Sequence, residues 1–151
     1  MIITQPKNGY RYNSDTMFLY GFIREGGVRG EVLEVGCGSG VLGLLLKRDF
    51  PKISLSLLDI LEANVNLAAA NASQNGLEAE FITADFAKFK SEKRYDLIVS
   101  NPPYIANSYA LDARVLQEPK QALFGGERGD EILKRIVLIA ARRAKFLACE
   151  M

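Results

Sequence analysis

Glu31-Val32-Leu33-Glu34-Val35-Gly36-Cys37-Gly38-Ser39-Gly40 is the stretch on which the fold turns. Apolar residues run to Val35, and glycines then occupy positions 36, 38 and 40. Val41-Leu42-Gly43-Leu44-Leu45-Leu46 follows, apolar almost all round, as in a helix buried on every side. A strand, a glycine-rich turn and a buried helix in that order open a Rossmann-like sheet. Without side chains, the turn lets the backbone approach a ligand closely. Residues 38, 40 and 43 also spell a literal G-x-G-x-x-G, so NAD and an oxidoreductase activity form one reading. The glycines begin directly at the strand end, and the acidic Glu34 stands two residues before them. That pattern fits an adenosyl ligand carrying an amino acid better than one carrying a pyrophosphate. Cys37 reads as a small turn residue, because no base stands near it to make it a nucleophile.

Working outward, Ile53 to Asp59 reads as a second strand. Asp59-Ile60 closes it about twenty residues beyond the glycines, the spacing at which a carboxylate accepts both hydroxyls of a ribose. Leu61, Val65, Ala68, Ala69 and Ala72 repeat at helical spacing until Asn75-Gly76. Glu80 to Thr83 is a third strand, and Asp85-Phe86 follows its carboxyl end. There Asp85 can accept the amine of an adenine and Phe86 can pack on the ring. Upstream, Asn13 or Ser14 caps a helix over about Asp15 to Arg24, with Met17, Phe18, Phe22 and Ile23 as its apolar side. Downstream, Asp130 to Ala144 is an amphipathic helix with Ile132, Leu133, Ile136, Val137 and Ala140 inward, and Lys145 to Met151 a fifth strand. Strands alternating with helices predict an α/β fold: a doubly wound, mostly parallel sheet with helices on both faces.

The fourth strand, Asp96 to Ser100, runs into Asn101-Pro102-Pro103-Tyr104. Two prolines cannot donate to a sheet ladder, so the strand ends there in a stiff loop. The Asn101 side-chain oxygen and the Pro102 carbonyl offer two fixed acceptors to the NH2 of a carboxamide or of a base. They favour the charge that builds on such a planar nitrogen as it attacks an electrophile. Tyr104 can stack on the planar group and hold it in line. All these residues fall at strand carboxyl ends, where open α/β sheets bind ligands.

Composition narrows the chemistry. The chain has 151 residues, a net charge of +1, two cysteines and no histidine. One domain is expected, with residues 1–30 as an entry segment and helix ahead of a sheet domain over 31–151. The near-zero charge implies no general attraction to nucleic acid. Without histidine and with only Cys37 and Cys149, neither a zinc site nor a histidine-based triad is expected. No apolar run reaches membrane-spanning length, and a cytoplasmic location is the expectation.

The glycine stretch with Asp59, Asp85 and Asn101-Pro102-Pro103-Tyr104 resembles the class I S-adenosylmethionine-dependent methyltransferases. The NPPY element resembles that of enzymes acting on planar nitrogens. Ile105 after the motif and Glu118-Pro119-Lys120-Gln121-Ala122-Leu123-Phe124-Gly125-Gly126 resemble the HemK-like glutamine methyltransferases of peptide release factors. Asp15-Thr16 resembles an acidic-Thr element beside the cofactor of that family. Gly9-Tyr10-Arg11-Tyr12-Asn13-Ser14-Asp15 is similar instead to the TrmN-type tRNA adenine methyltransferases. These lack the N-terminal helical domain with which HemK-like enzymes recruit their substrate.

The resemblance implies S-adenosylmethionine as cofactor and S-adenosylhomocysteine as product. It implies cofactor contacts at Asp15, Thr16, Glu34, Gly36, Cys37, Gly38, Gly40, Asp59, Ile60, Asp85, Phe86 and Asn101. Asn101, Pro102, Pro103 and Tyr104 would be the catalytic element. The acceptor would be a glutamine amide on a protein, a peptide release factor among the candidates, or alternatively an adenine amine of tRNA. A non-catalytic adenosyl-binding domain is a third reading. The family's sheet has two further strands, so this one is expected to be cut short after its fifth. Its last strand would then be an exposed apolar edge, with self-association expected there.

Overall fold

The computed structural model describes residues 1–5, 12–102, 105–106, 124–127 and 130–150. Its elements in order are α1 (Ser14–Gly26), β1 (Glu31–Val35), α2 (Val41–Asp49), β2 (Ser54–Asp59), α3 (Glu62–Gln74), β3 (Glu80–Thr83) and β4 (Tyr95–Ser100). Then follow β5 (Ile105–Ala106), β6 (Phe124–Gly126), α4 (Glu131–Arg143) and β7 (Ala144–Cys149). Five strands form one parallel sheet in the order β3-β2-β1-β4-β7. The order reverses between β1 and β4, and the crevice above that switch point is where such sheets take ligands. The short parallel pair β5-β6 stands apart from this sheet and is unforeseen by periodicity, being only two and three residues long.

Alternation along the strands divides the core. Val32, Leu55, Leu57 and Val99 face one cluster, closed by Leu19, Tyr20 and Ile23 of α1, the Val41–Leu46 run of α2, and Ala68 and Ala72 of α3. Leu33, Val35, Leu58 and Ile98 face the other, closed by Ile136 and Ala140 of α4 with Phe86 and Tyr95. The sheet is therefore covered on both faces, and its central strands are apolar on both sides as a parallel sheet requires.

Helix α1 departs from the sequence expectation. Its buried stripe is Thr16, Leu19, Tyr20 and Ile23, whereas Met17, Phe18 and Phe22 lie exposed, the two phenylalanines at 76% and 74%. Residues 16, 19, 20 and 23 share one helical face, and Tyr20 is anchored there by a hydrogen bond from its hydroxyl to Asp49. On α4, Ile136 and Ala140 turn inward as expected, but Val137 is exposed. Strand β7 is the outermost strand of the sheet, and its Phe146 is 71% exposed.

Candidate functional site

The glycine loop is closed by its own backbone. Gly36 and Cys37 N–H donate to the Leu58 carbonyl at 2.8 and 3.0 Å, and Gly40 N–H donates to the Cys37 carbonyl at 2.7 Å. Gly36, Gly38 and Gly40 have φ of +72°, +52° and +77°, the left-handed region that other residues enter only with strain. Their surroundings differ. A Cβ at Gly36 or Gly38 would meet nothing within 4 Å, so this side of the loop is open. A Cβ at Gly40 would lie 3.0 Å from Ala68 Cβ, and one at Gly43 only 2.6 Å from Glu34 Oε2 and from Leu57. In a dinucleotide fingerprint the second glycine of G-x-G-x-x-G lets the backbone approach the pyrophosphate. Here that glycine, Gly40, faces α3 and the core, which argues against the NAD reading.

The carboxylates beneath and beside the loop have distinct tasks. Glu34 is only 4% exposed, and its Oε2 accepts from Gly43 N–H at 2.9 Å. Burial, with Asp59 nearby adding to it, pushes the Glu34 carboxyl up to about 8, while the Gly43 hydrogen bond pulls the other way. Glu34 thus joins β1 to α2 through the Gly43 N–H. Asp59 sits at the end of β2 as expected. Its Oδ2 accepts from Gly38 N–H at 2.9 Å and from Asn64 Nδ2 at 3.2 Å, and its Oδ1 from Leu61 N–H at 2.9 Å. Three protein donors on about four lone-pair sites leave it oriented but almost filled. The Cys37 thiol is buried, and its pKa is pushed far up by burial and then by Glu34 and Asp59, so it is no thiolate nucleophile.

Ile60 follows Asp59 and is 58% exposed, an apolar side chain on an open surface. Asp85 Oδ1 accepts from Ala87 N–H at 2.9 Å, forming the turn after β3. Phe86 is buried in the cluster with Leu33, Val35 and Leu58, so its ring serves the core.

Across the switch point stands Asn101, one residue past β4. Its Nδ2 donates to Thr16 Oγ1 at 3.0 Å, joining positions 85 apart in sequence. Thr16 is buried in the first turn of α1, whose N-cap Asn13 accepts from Asp15 and Thr16 N–H at 3.1 and 3.2 Å. The acidic-Thr element and the Asn-Pro element are thus brought together by this hydrogen bond. Ser100 Oγ donates to the Val35 carbonyl at 2.8 Å, tying the end of β4 to the start of the glycine loop. Pro102 is buried; Pro103 and Tyr104 lie outside the described residues.

Two features were missed by the sequence reading, one at this edge and one along α3. Glu150 follows β7 and donates its N–H to the Ser100 carbonyl at 3.3 Å; its Oε2 is buried without a hydrogen-bond partner. Burial first, and Asp15 second, raise its carboxyl above the ordinary range. The other is a row of asparagines on α3, Asn64, Asn71 and Asn75, whose spacing of seven and four was visible as a polar stripe. Among the described residues no group of three Asp, Glu or Cys converges as a metal site. No described helix is long and apolar enough to cross a membrane.

Fold and site together define a doubly wound nucleotide-cofactor domain with a side-chain amide fixed across the switch point. The chain belongs to the methyltransferase small domain family, whose sequence profile matches residues 12–128. It is 39% identical over 113 residues to the release factor glutamine methyltransferase of Koribacter versatilis, covering 72% of this chain and 40% of that protein. It is 36% identical over 115 residues to the ribosomal RNA small subunit methyltransferase C of Haemophilus ducreyi, covering 74% of this chain and 35% of that protein. The chain thus spans well under half the length of both relatives. A 16S rRNA methyltransferase of T. thermophilus, solved with AdoMet and guanosine, superposes over 91% of this chain and 34% of its own, with a TM-score of 0.67 and 24% identity. A methyltransferase of Pyrococcus furiosus covers 95% of this chain and 64% of its own, with a TM-score of 0.66 and 18% identity. These structures share the fold.

Proposed function

We propose that the chain is the catalytic core of an S-adenosylmethionine-dependent N-methyltransferase whose acceptor is a planar nitrogen, in the first instance a glutamine amide of a protein. The observation that carries this is the Asn101–Thr16 hydrogen bond of 3.0 Å. It fixes the amide plane of Asn101 at the carboxyl end of β4, across the switch point from the open side of the glycine loop.

The residues present fit the cofactor. The unfilled space beside Gly36 and Gly38 admits a ligand against bare backbone. Asp59 would hold the ribose, its Oδ2 now taken in part by the Asn64 amide. Exposed Ile60 offers an apolar face to the adenine, and Asp85 is the carboxylate at hand for its amine. Asp59 ends β2, Asp85 follows β3 and pairs with Lys88 at 3.8 Å, and Asp15 lies close enough to Glu150 to raise its carboxyl, so this edge is mainly acidic. Such an edge suits a ligand with a cationic sulfonium and ammonium, and it repels a pyrophosphate.

When bound, S-adenosylmethionine supplies a methyl group on its sulfonium and departs as neutral S-adenosylhomocysteine once that carbon–sulfur bond is broken. The chain's own part is orientation. Asn101 and the Pro102 carbonyl accept from the acceptor's NH2 and stabilise the positive charge developing on nitrogen, so no base is needed before the new bond forms. The proton is lost from nitrogen afterwards. Neither cysteine takes part.

A second reading, methylation of a base amine in RNA, is favoured by the relatives named as ribosomal RNA enzymes. The same two acceptors serve an exocyclic amine, provided the base is unpaired or flipped out. The test is incubation of the protein and a cell extract with methyl-labelled S-adenosylmethionine, followed by protease or ribonuclease. Label released by protease supports the glutamine reading, and label released by ribonuclease replaces it with the RNA reading. Label on neither, with cofactor bound, removes the catalytic reading for this chain.

A further inference from the structure

Helix α3 meets the glycine loop along one narrow stripe. Asn64, Ala68, Asn71 and Asn75 follow one another at intervals of four, three and four, which keeps them on one face of a helix. Asn64 reaches Asp59, and Ala68 lies against the place of a Gly40 Cβ. Asn71 is fully buried, at 0% exposure, an unusual place for an amide unless every group on it is matched. Its Nδ2 donates to the Ser39 carbonyl and to the Thr4 carbonyl, both at 2.9 Å, and its Oδ1 accepts from Thr4 N–H at 2.8 Å. Asn75, one turn on, treats Ile2 in the same way: Oδ1 accepts from Ile2 N–H at 2.8 Å, and Nδ2 donates to the Ile2 carbonyl at 2.6 Å.

Two side-chain amides therefore stand in for a neighbouring strand. The period of two along the extended N-terminal segment is matched to the period of four along the helix. Between the two anchored residues, Ile3 packs against the first core cluster. Only Asn71 continues into the cofactor loop, because only Asn71 also holds Ser39. The Ser39 carbonyl belongs to the peptide that leads into Gly40, the left-handed residue at which the loop turns into α2.

We propose that Asn71 is a positioning residue of the cofactor loop, and that Thr4 belongs functionally to the cofactor site, because it holds the Asn71 amide in the one orientation that secures Ser39. This rests on the reading of the loop as the S-adenosylmethionine site. The pattern of partners, carbonyl, N–H and carbonyl, requires one group with both donors and an acceptor, as an amide has. An aspartate at 71 keeps size and shape but loses both donors.

The test compares Asn71→Asp and Asn71→Ala with Asn75→Ala in the whole chain, together with a chain that starts at Gln5 behind an initiating Met. S-adenosylhomocysteine is titrated by calorimetry well below each variant's melting temperature, and hydrogen exchange of the Gly40 amide is followed without ligand. Both Asn71 variants are expected to weaken S-adenosylhomocysteine about tenfold and to speed Gly40 exchange by about as much, the loss of a buried hydrogen-bond partner. Asn75→Ala should stay within about twofold on both readouts, since Asn75 meets Asn71 only at its backbone carbonyl and touches no loop residue, while the shortened chain should move partway toward the Asn71 variants. A merely structural Asn71 lowers the melting temperature but leaves both readouts of the folded protein unchanged, and that result overturns the proposal. So does a pattern in which Asn71→Asp and Asn75→Ala behave alike. A wild-type protein that fails to bind S-adenosylhomocysteine overturns the cofactor reading instead, and the Gly40 exchange then decides on its own whether Asn71 sets the loop.

Discussion

The two sides of the switch point are built differently. On the β1–β2 side the site is backbone: three glycines at positive φ, closed on Leu58 and Cys37, with Asp59 filled by three protein donors. On the β4–β7 side it is side chains: Asn101 oriented by a threonine from α1, and Glu150 contributed from the end of β7. A site for a cofactor that is the same in every turnover can be rigid and local in sequence. On the proposed reading the acceptor side is assembled from distant segments, so it can change while the cofactor side stays as it is. The relatives matched over this region are named for a protein acceptor in one case and a ribosomal RNA in the other.

That contrast can be broken most sharply by a crossed pair of substitutions. Asn101→Ala should lower turnover by about 100-fold or more while S-adenosylhomocysteine affinity stays within about threefold, because its acceptor acts on charge that develops during transfer. Asp59→Ala should do the reverse, weakening S-adenosylhomocysteine by about 30-fold or more through lost hydrogen bonds to a charged group. Kinetics and calorimetry on both variants read the crossing directly. Equal losses in both quantities for both variants would erase the division.

A smaller contrast lies within the glycine motif. Gly43→Ala places a methyl 2.6 Å from Glu34 Oε2 and Leu57, and overpacking should lower stability by about 2 kcal/mol despite alanine's better helix propensity. Gly38→Ala meets open space and bears only the strain of a φ of +52°, about 1 kcal/mol. Its added methyl enters the ligand's side of the loop, so Gly38→Ala should lose cofactor affinity out of proportion to stability. Denaturant melts and cofactor titrations on the two variants check the inversion.

The smallest effect is a pH dependence. The Glu34 carboxyl is raised from 4.5 to about 8 in the folded protein, mainly by burial. Because the folded state holds this proton more tightly, the stabilisation is complete below 4.5 and is lost as pH rises through about 8. Glu34→Gln keeps an oxygen for Gly43 N–H but cannot titrate. Wild-type melting temperature should therefore fall between these limits relative to that of Glu34→Gln. Parallel curves for the two proteins would show that Glu34 does not hold its proton.

How much of this was legible in the sequence follows from the same contrast. The β1 strand, the glycine turn and the Asp59 position depend on neighbours and on strand alternation, and they read out directly. The buried face of α1 did not, because Met17, Phe18 and Phe22 also fall at helical spacing, and periodicity says nothing about which stripe a sheet will cover. Glu34 was read toward the ligand because of its place before the glycines. Its hydrogen bond from the Gly43 N–H across the strand–helix contact was not legible, being a matter of three-dimensional packing. The Asn101–Thr16 pair was not legible, since nothing local connects residues 85 apart; the resemblance marked each residue separately without joining them. The anchoring of Ile2 and Thr4 on α3 left one trace, asparagines at helical spacing on a face otherwise read for its alanines.

The most direct measurement is a titration of the isotope-labelled chain with S-adenosylhomocysteine, following backbone amide resonances. The account predicts saturable shifts at Gly36, Cys37 and Gly38 and at Asp59-Ile60, with smaller ones at Ser39 and Asn101 and little change along α4. Shifts confined to residues away from the glycine loop, or none at saturating ligand, would contradict it.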